Sequence, residues 1–269
     1  MKVVLFCGGL GLRLRDYDPS TPKPMVPLGN RPILWHIMRY YAHQGHKDFV
    51  LCLGYKANVV KEYFLNYNEA VSNDFVLSDG GRRLDLMSRD IDDWCVTFAD
   101  TGLRANIGER LRAVRQYVAG EEIFLASYGD GLTDASMNEL VEDFRRRDAV
   151  ASFLSVHPTY SFHFVAQRPD GIVTSIMDVK ESEIRINGGY FIFRQEIFDY
   201  LEEGEELVEE PFQRLIKEQR LIGYAFDGFW APMDTLRDRQ RLDVLVESGS
   251  PPWALWQKPI ATFAAVTRH

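Results

Sequence analysis

The chain has little of what a nucleic-acid-binding or membrane-attached protein needs. Across 269 residues, 39 acidic side chains outnumber 31 basic ones, for a formal net charge of −8. It offers no basic footprint to nucleic acid or to an anionic membrane surface, so neither is expected as a partner. No apolar run approaches the ~20 residues of a membrane span. VVLFC, after Met1-Lys2, is too short for a signal-peptide core. Cysteine is scarce: Cys7, Cys52 and Cys95 are odd in number and scattered through apolar, strand-like runs. That excludes a disulfide framework and a metal-ligand spacing, and a reducing cytoplasm is the expected compartment. Internal repeats, low-complexity tracts and Gly/Ser linkers are also missing.

What is present is an ordinary globular composition, 46% hydrophobic and 26% charged, long enough to bury a sizeable core. KVVLFC opens as a buried strand. RPILWHIMRYYAHQG then carries Ile33, Leu34, Ile37, Met38 and Tyr41 at helical spacing, with Gly45 as its stop. DFVLCLGY, WCVTFAD and EEIFLASYGD read as further strands; ANVVKEYFLNY, IGERLRAVRQYV and SMNELVEDFRRR read as helices between or after them. Strands alternating with helices of this length predict a doubly wound, Rossmann-like α/β fold with a mostly parallel sheet. Beyond Val150 the helices thin out. AVASFLSV, FHFVAQ, GIVTSIM and YFIF predict a small mixed or antiparallel β section, with helices near EIFDYL and EPFQRLIKEQR. A strand in YAFDGFWAPMDT and a helix in LRDRQRLDVLVES follow, and PPWALWQKPIATFAAVTRH is less regular.

The first strand ends in GGLGLRL, and PKPM follows after seven intervening residues. Glycines at the end of a strand let a ligand approach backbone amides closely, although they serve equally well as a simple turn. A Walker loop is excluded because GK[ST] is absent, and Leu14 stands where a dinucleotide fingerprint wants glycine. The connection is ~20 residues long, which is uncommon unless it binds something. Its prolines stiffen it, and it carries Arg13 and Lys23, natural partners for phosphate oxygens. Two aspartates stand out further on: Asp130 between glycines in SYGDG, and Asp234 at the start of a helix in WAPMDTLRD. Alone, each reads as a turn residue or helix N-cap. Together, with no Cys or His cluster, they suit Mg²⁺, a hard cation that prefers oxygen ligands and retains substrate phosphates in its shell.

GGLGxRL followed by PKPMVPLGNRPILWHIM resembles the signature of the sugar-1-phosphate nucleotidylyltransferases, most of all their cytidylyltransferase branch acting on glucose 1-phosphate. The resemblance continues through GYKANVVKEYF, WCVTFADTG, GERLRAVRQYV, SYGDG, INGGYF, GFWAPMDTLRD and PPWALW, nearly the whole chain. It implies a nucleotide-diphospho-sugar transferase type of fold over 1–248. The nucleotide would bind within about 1–150 and the sugar phosphate within about 151–248, with 249–269 as an extension. It implies transfer of a nucleotidyl group from a nucleoside triphosphate, CTP by overall likeness, to a sugar 1-phosphate, and a homo-oligomeric enzyme. Arg13 would stabilise the β- and γ-phosphates, and Lys23 would hold the α-phosphate or the sugar phosphate in line. Asp130 and Asp234 would hold the metal. Phe6, Gly8, Gly9, Leu10, Gly11, Gly129 and Arg110 would surround the nucleotide. Read by itself, Arg110 is equally an exposed helix-face charge.

The sugar end departs from the family. Relatives carry Glu-Lys-Pro where this chain has IMDVKES. Asp178 stands for the glutamate, Val179 falls on the lysine position, and Lys180 would have to serve from one residue further on. On a strand that shift points a side chain to the other face. His163 replaces a family glycine, as a pocket group or as a half-buried strand histidine, while Asn187 remains as a sugar-hydroxyl ligand. These departures keep open another hexose, a heptose, or a cyclitol or polyol phosphate as acceptor, and dTTP, UTP or GTP as donor. A non-catalytic nucleotide-binding regulatory homologue is the alternative of another class.

Overall fold

A computed structural model describes residues 1–9, 21–159, 162–179 and 182–257. Its centre is a seven-stranded sheet. In chain order the strands are β1 (Lys2–Phe6), β2 (Asp48–Leu53), β3 (Cys95–Asp100), β4 (Ile123–Tyr128), β5 (Ala151–Val156), β6 (Ile186–Arg194) and β7 (Leu221–Phe226). Across the sheet they lie in the order β7-β5-β6-β4-β1-β2-β3. All pairings are parallel except those of β6, which runs antiparallel to β4 on one side and β5 on the other. The expected mostly parallel sheet with a mixed section is therefore present, and the reversal is confined to one strand.

Side chains alternate across β1, and the core divides accordingly. Val3 and Leu5 join one apolar cluster, Val4 and Phe6 the other. The first cluster takes α1 (Ile33–His43), which contributes all five apolar residues whose spacing marked it, and α4 (Met137–Arg145). Opposite them lie α3 (Ile107–Ala113), through Leu111, and α5 (Glu210–Lys217), through Phe212 and Leu215. Between these fall α2 (Ala57–Leu65), which follows β2, and α6 (Leu236–Glu247), which closes the domain. Helices on both faces of a parallel sheet make the fold doubly wound.

Three elements differ from expectation. The helix expected over IGERLRAVRQYV breaks at Val114 into α3 and a single turn, Arg115–Val118. EIFDYL forms a short 3₁₀ turn, Gln195–Asp199, in place of a helix. A hairpin of Phe75–Ser78 with Arg83–Leu86 arises where the sequence marks no element, its residues mostly exposed and so without a core-facing pattern to betray it. At the other end Trp253 is completely buried among α1 side chains, so the described part of the extension packs on the core; residues 258–269 lie outside the described ones.

Candidate active site

Segments distant in sequence meet at the carboxyl ends of β1 and β4, where a parallel sheet opens toward ligands. Gly129, just past β4, donates its N–H to the Phe6 carbonyl at 3.2 Å, tying the two strand ends together. Asp130 comes next. A short antiparallel pair, Gly131–Thr133 with Trp230–Pro232, then brings the later segment alongside, and Met233 N–H donates to the Asp130 carbonyl at 2.8 Å. Asp234 is thereby delivered next to Asp130. Pro22 and Pro24 frame a 3₁₀ turn over Lys23–Met25 that presents Lys23 to both.

The geometry is tight. Nζ of Lys23 lies 2.5 Å from Oδ2 of Asp130 and 2.6 Å from Oδ1 of Asp234. Burial by itself would lower the Lys23 pKa, but the two carboxylates outweigh it and hold the ammonium above its ordinary value. Thr235, not Asp234, caps α6: its hydroxyl accepts from Asp238 N–H, while the Asp238 carboxylate accepts from the N–H groups of Asp234 and Thr235 and from the Thr235 hydroxyl. The reading of Asp234 as a helix N-cap is thus corrected: the neighbouring threonine takes that task, and the Asp234 carboxylate is turned to Lys23.

One cation already reaches both carboxylates, so their spacing fits a shared divalent ion. Among the described residues no group of three or more His, Cys, Asp or Glu gathers around a metal-sized position. Two carboxylates would leave the remaining positions of a divalent ion to water and substrate phosphate oxygens.

Two spaces flank the clamp. Phe6, Gly9, Gly129, Lys23 and Asp130 line a cavity of about 60 Å³, and Gly9 is exposed at its rim. A larger one of about 370 Å³ is bounded by Asp130, Asp234, Tyr128, Asn187, Trp230 and Ile107. Trp230 donates its indole N–H to the Gly188 carbonyl at 2.7 Å, and Asn187 Oδ1 accepts the Gly189 N–H at 2.8 Å. Gly189 has φ +76°, a conformation in which an L side chain is strained, and a Cβ there would strike the Tyr128 ring. The NGG turn therefore seats Tyr128 at the cavity wall. Burial raises the Tyr128 pKa, helped by Glu206 and Asp130, so the phenol stays protonated. Tyr128 and Trp230 were not singled out from sequence, although both flank the aspartate motifs that were.

Gly8 and Arg110 are placed differently from Phe6, Gly9 and Gly129. Arg110 is only 2% exposed, which excludes a solvated helix-face charge. Its guanidinium donates to Thr101 Oγ1 at 2.7 Å, to the carbonyls of Gly8 and Gly102 at 3.0 Å each and to that of Leu53 at 3.3 Å. It knits together the carboxyl ends of β1, β2 and β3. A Cβ on Gly8 would lie 2.0 Å from that guanidinium, so this glycine is required for the close approach of Arg110.

The sugar-end residues divide. Asn187 lines the larger cavity, whereas His163 and Asp178 pair across a hairpin, His163–Gln167 with Val173–Asp178, and neither lines that cavity. His163 is exposed, not half-buried as a strand histidine was expected to be, because this hairpin stands clear of the core. Val179, on the family's lysine position, is 1% exposed. Leu10, Gly11, Arg13 and Lys180 lie outside the described residues.

Comparison with known proteins adds to this geometry. The family described as Nucleotidyl transferase matches residues 2–238. A glucose-1-phosphate cytidylyltransferase of Salmonella typhimurium is 36% identical over 258 residues, spanning 96% of this chain and 100% of its own. A mannose-1-phosphate guanyltransferase of Saccharomyces cerevisiae is 25% identical over 88% of this chain and 62% of its own. Among solved structures, a UTP-bound UGPase from Acinetobacter baumannii superposes with a TM-score of 0.67, covering 94% of this chain and 95% of that one, at 16% identity. That last likeness establishes the fold.

Proposed function

The chain belongs to the nucleotidyl transferase family, and on that premise we propose that it transfers a cytidylyl group from CTP to glucose 1-phosphate. The observation that carries the reading is the convergence of Lys23 with Asp130 and Asp234 beside a cavity large enough for a sugar.

The reaction joins two anions. A phosphate oxygen of the sugar 1-phosphate attacks the α-phosphorus of the triphosphate, the bond from that phosphorus to the bridging oxygen of the β-phosphate breaks, and pyrophosphate leaves with the electron pair. Catalysis is therefore largely positioning and charge neutralisation. A phosphate monoester with a second pKa of about 6 is already mostly a dianion near neutral pH, so no general base is needed. Lys23 supplies a cation at the junction of the two substrates. Asp130 and Asp234 would hold Mg²⁺, which when bound neutralises phosphate charge and orients the oxygens. The strand ends at Phe6, Gly9 and Gly129 offer backbone to the nucleotide, with Arg110 holding that surface in shape from behind. Arg13 would meet the β- and γ-phosphates. Asn187, Tyr128 and Trp230 face the sugar, while His163 and Asp178 complete its surroundings only if the hairpin end moves toward the cavity; Lys180 would serve the sugar phosphate.

The test is pyrophosphate release with Mg²⁺ across a panel of sugar 1-phosphates and triphosphates. Release with CTP and glucose 1-phosphate is expected. Preference for another hexose, a heptose or a cyclitol phosphate, or for dTTP, UTP or GTP, replaces the substrates and keeps the chemistry. No release with any pair overturns the reading in favour of a non-catalytic nucleotide-binding homologue. The same proposal makes the protein a cytoplasmic homo-oligomer.

A further inference from the structure

Two more cavities share walls with the substrate site but lie outside it. One, of about 260 Å³, is apolar, walled by Phe229, Ala231, Pro232, Leu242 and Leu245. The other, of about 270 Å³, is the more polar of the two and includes His157, Asp227 and Trp230. They meet at Thr159 and Arg241, which line both. Taken together they reach the ~300–1,000 Å³ of ordinary small-molecule sites.

The polar groups point to what such a ligand carries. Arg241 is exposed and forms no hydrogen bond or ion pair among the described residues, so a guanidinium with five donors stands uncommitted where the two chambers join. His157 Nε2 faces Asp227 Oδ1 at 3.4 Å, and Asp227 is held in turn by Arg185. Nδ1 of the same ring is buried without a partner.

The walls also connect to catalysis. Trp230 separates the polar chamber from the substrate cavity, and Pro232 separates the apolar chamber from it. Asp238, whose carboxylate holds the backbone of Asp234 and Thr235, forms part of the apolar chamber. Filling that chamber bears on the strand and the cap that aim Asp234.

We infer that these paired chambers form an effector site for a small amphipathic anion, with an apolar body against Phe229 and Leu245 and an anionic group on Arg241. Its occupancy is transmitted through Trp230–Pro232 and Asp238 to the Asp234 carboxylate.

The probe is 1-anilinonaphthalene-8-sulfonate, an apolar ring system bearing one sulfonate, titrated by fluorescence into the full chain. Arg241→Glu reverses the cation and Val244→Trp fills the apolar chamber; both positions are exposed, so neither change disturbs the core. Arg237→Glu, also exposed and lining neither chamber, controls for surface charge. Saturable binding is expected in wild type and in Arg237→Glu, at least tenfold weaker in the other two. Binding that none of the substitutions moves assigns the probe to other exposed apolar surface and overturns the site. The second readout is Mn²⁺ affinity by electron paramagnetic resonance, expected to shift threefold or more when the probe saturates wild type but not Val244→Trp. It rests on the assignment of Asp234 to a metal, whereas the titration does not. An unchanged Mn²⁺ affinity with site-specific probe binding overturns the coupling alone.

Discussion

Lys23 holds a position that two later arrivals compete for. Its ammonium pairs with both Asp130 and Asp234. A divalent ion taking those carboxylates must push it aside, toward an incoming phosphate. Metal and triphosphate should therefore bind with positive coupling, because the anion stabilises the lysine that the metal displaces. Lys23→Met is expected to bind Mn²⁺ about tenfold more tightly than wild type without triphosphate, and to lose turnover by more than 100-fold; unchanged metal affinity would show that the lysine and the ion do not share the site. Asp234→Asn should lose more than tenfold in pyrophosphate release with an unchanged circular dichroism spectrum, since the amide keeps the shape but not the charge. Wild-type turnover in that variant would remove Asp234 from the chemistry. At this scale the sequence was informative where chemistry and spacing agree: Lys23 between prolines, Asp130 between glycines and Asp234 two residues after Pro232 mark backbone turned outward. It was silent on Arg110, since nothing in GERL distinguishes an arginine on the solvent face from one threaded behind the strand ends with four backbone and side-chain acceptors.

Among the elements, α1 does more than fill a core. His36 sits on it, 7% exposed, its Nε2 at 3.2 Å from the Leu28 carbonyl and its Nδ1 accepting the Trp253 indole N–H at 3.3 Å. Trp256 packs edge-on against Trp35, 5.8 Å between ring centroids. The extension is thus fastened to α1 through an imidazole. Burial, with Arg31 adding to it against the opposing pull of Leu28 and Asp243, brings the His36 pKa down to about 4. In the unfolded chain it titrates near 6.5. Between those values the unfolded state binds a proton that the folded state refuses, so stability is full above pH 6.5 and falls as pH drops toward 4. The loss from this residue is on the order of 3 kcal/mol. His46, also lowered to about 4 by burial, acts in the same direction. Urea unfolding at pH 7 and pH 4.5 should show a smaller acid loss in His36→Gln, which retains an acceptor for Trp253 without titrating; an identical loss would place the acid sensitivity elsewhere. The helix itself was plain in the sequence because five apolar residues fall on one face. The hairpin of Phe75–Ser78 and Arg83–Leu86 was not, because its apolar residues Phe75, Val76, Leu77 and Leu84 face solvent in the monomer and obey no single burial pattern.

For the whole molecule, exposed apolar surface is concentrated on the hairpins that leave the core. On His163–Gln167 and Val173–Asp178, Val165 stands opposite Ile176 and Phe164 opposite Met177, and these four are 52%, 65%, 40% and 45% exposed. Directly paired residues share a face and neighbouring pairs alternate, so apolar side chains emerge on both faces. A two-stranded ribbon is marginal in water by itself, and one that is apolar on both sides calls for cover. The proposed homo-oligomer supplies it: a second copy against the hairpin would bury these pairs and bring the His163–Asp178 end under a defined surface. The net charge of −8 opposes association, so apolar contact has to outweigh repulsion, and raising salt should strengthen the assembly. Light scattering on the full chain is expected to give a multiple of the 31.0 kDa monomer. Ile176→Glu should shift it to a smaller species without lowering the melting temperature of the isolated subunit, because the side chain touches none of the monomer core. If that variant keeps the wild-type mass, the hairpin is not the interface; if wild type is itself a monomer, the ribbon stands uncovered and the oligomer proposal fails.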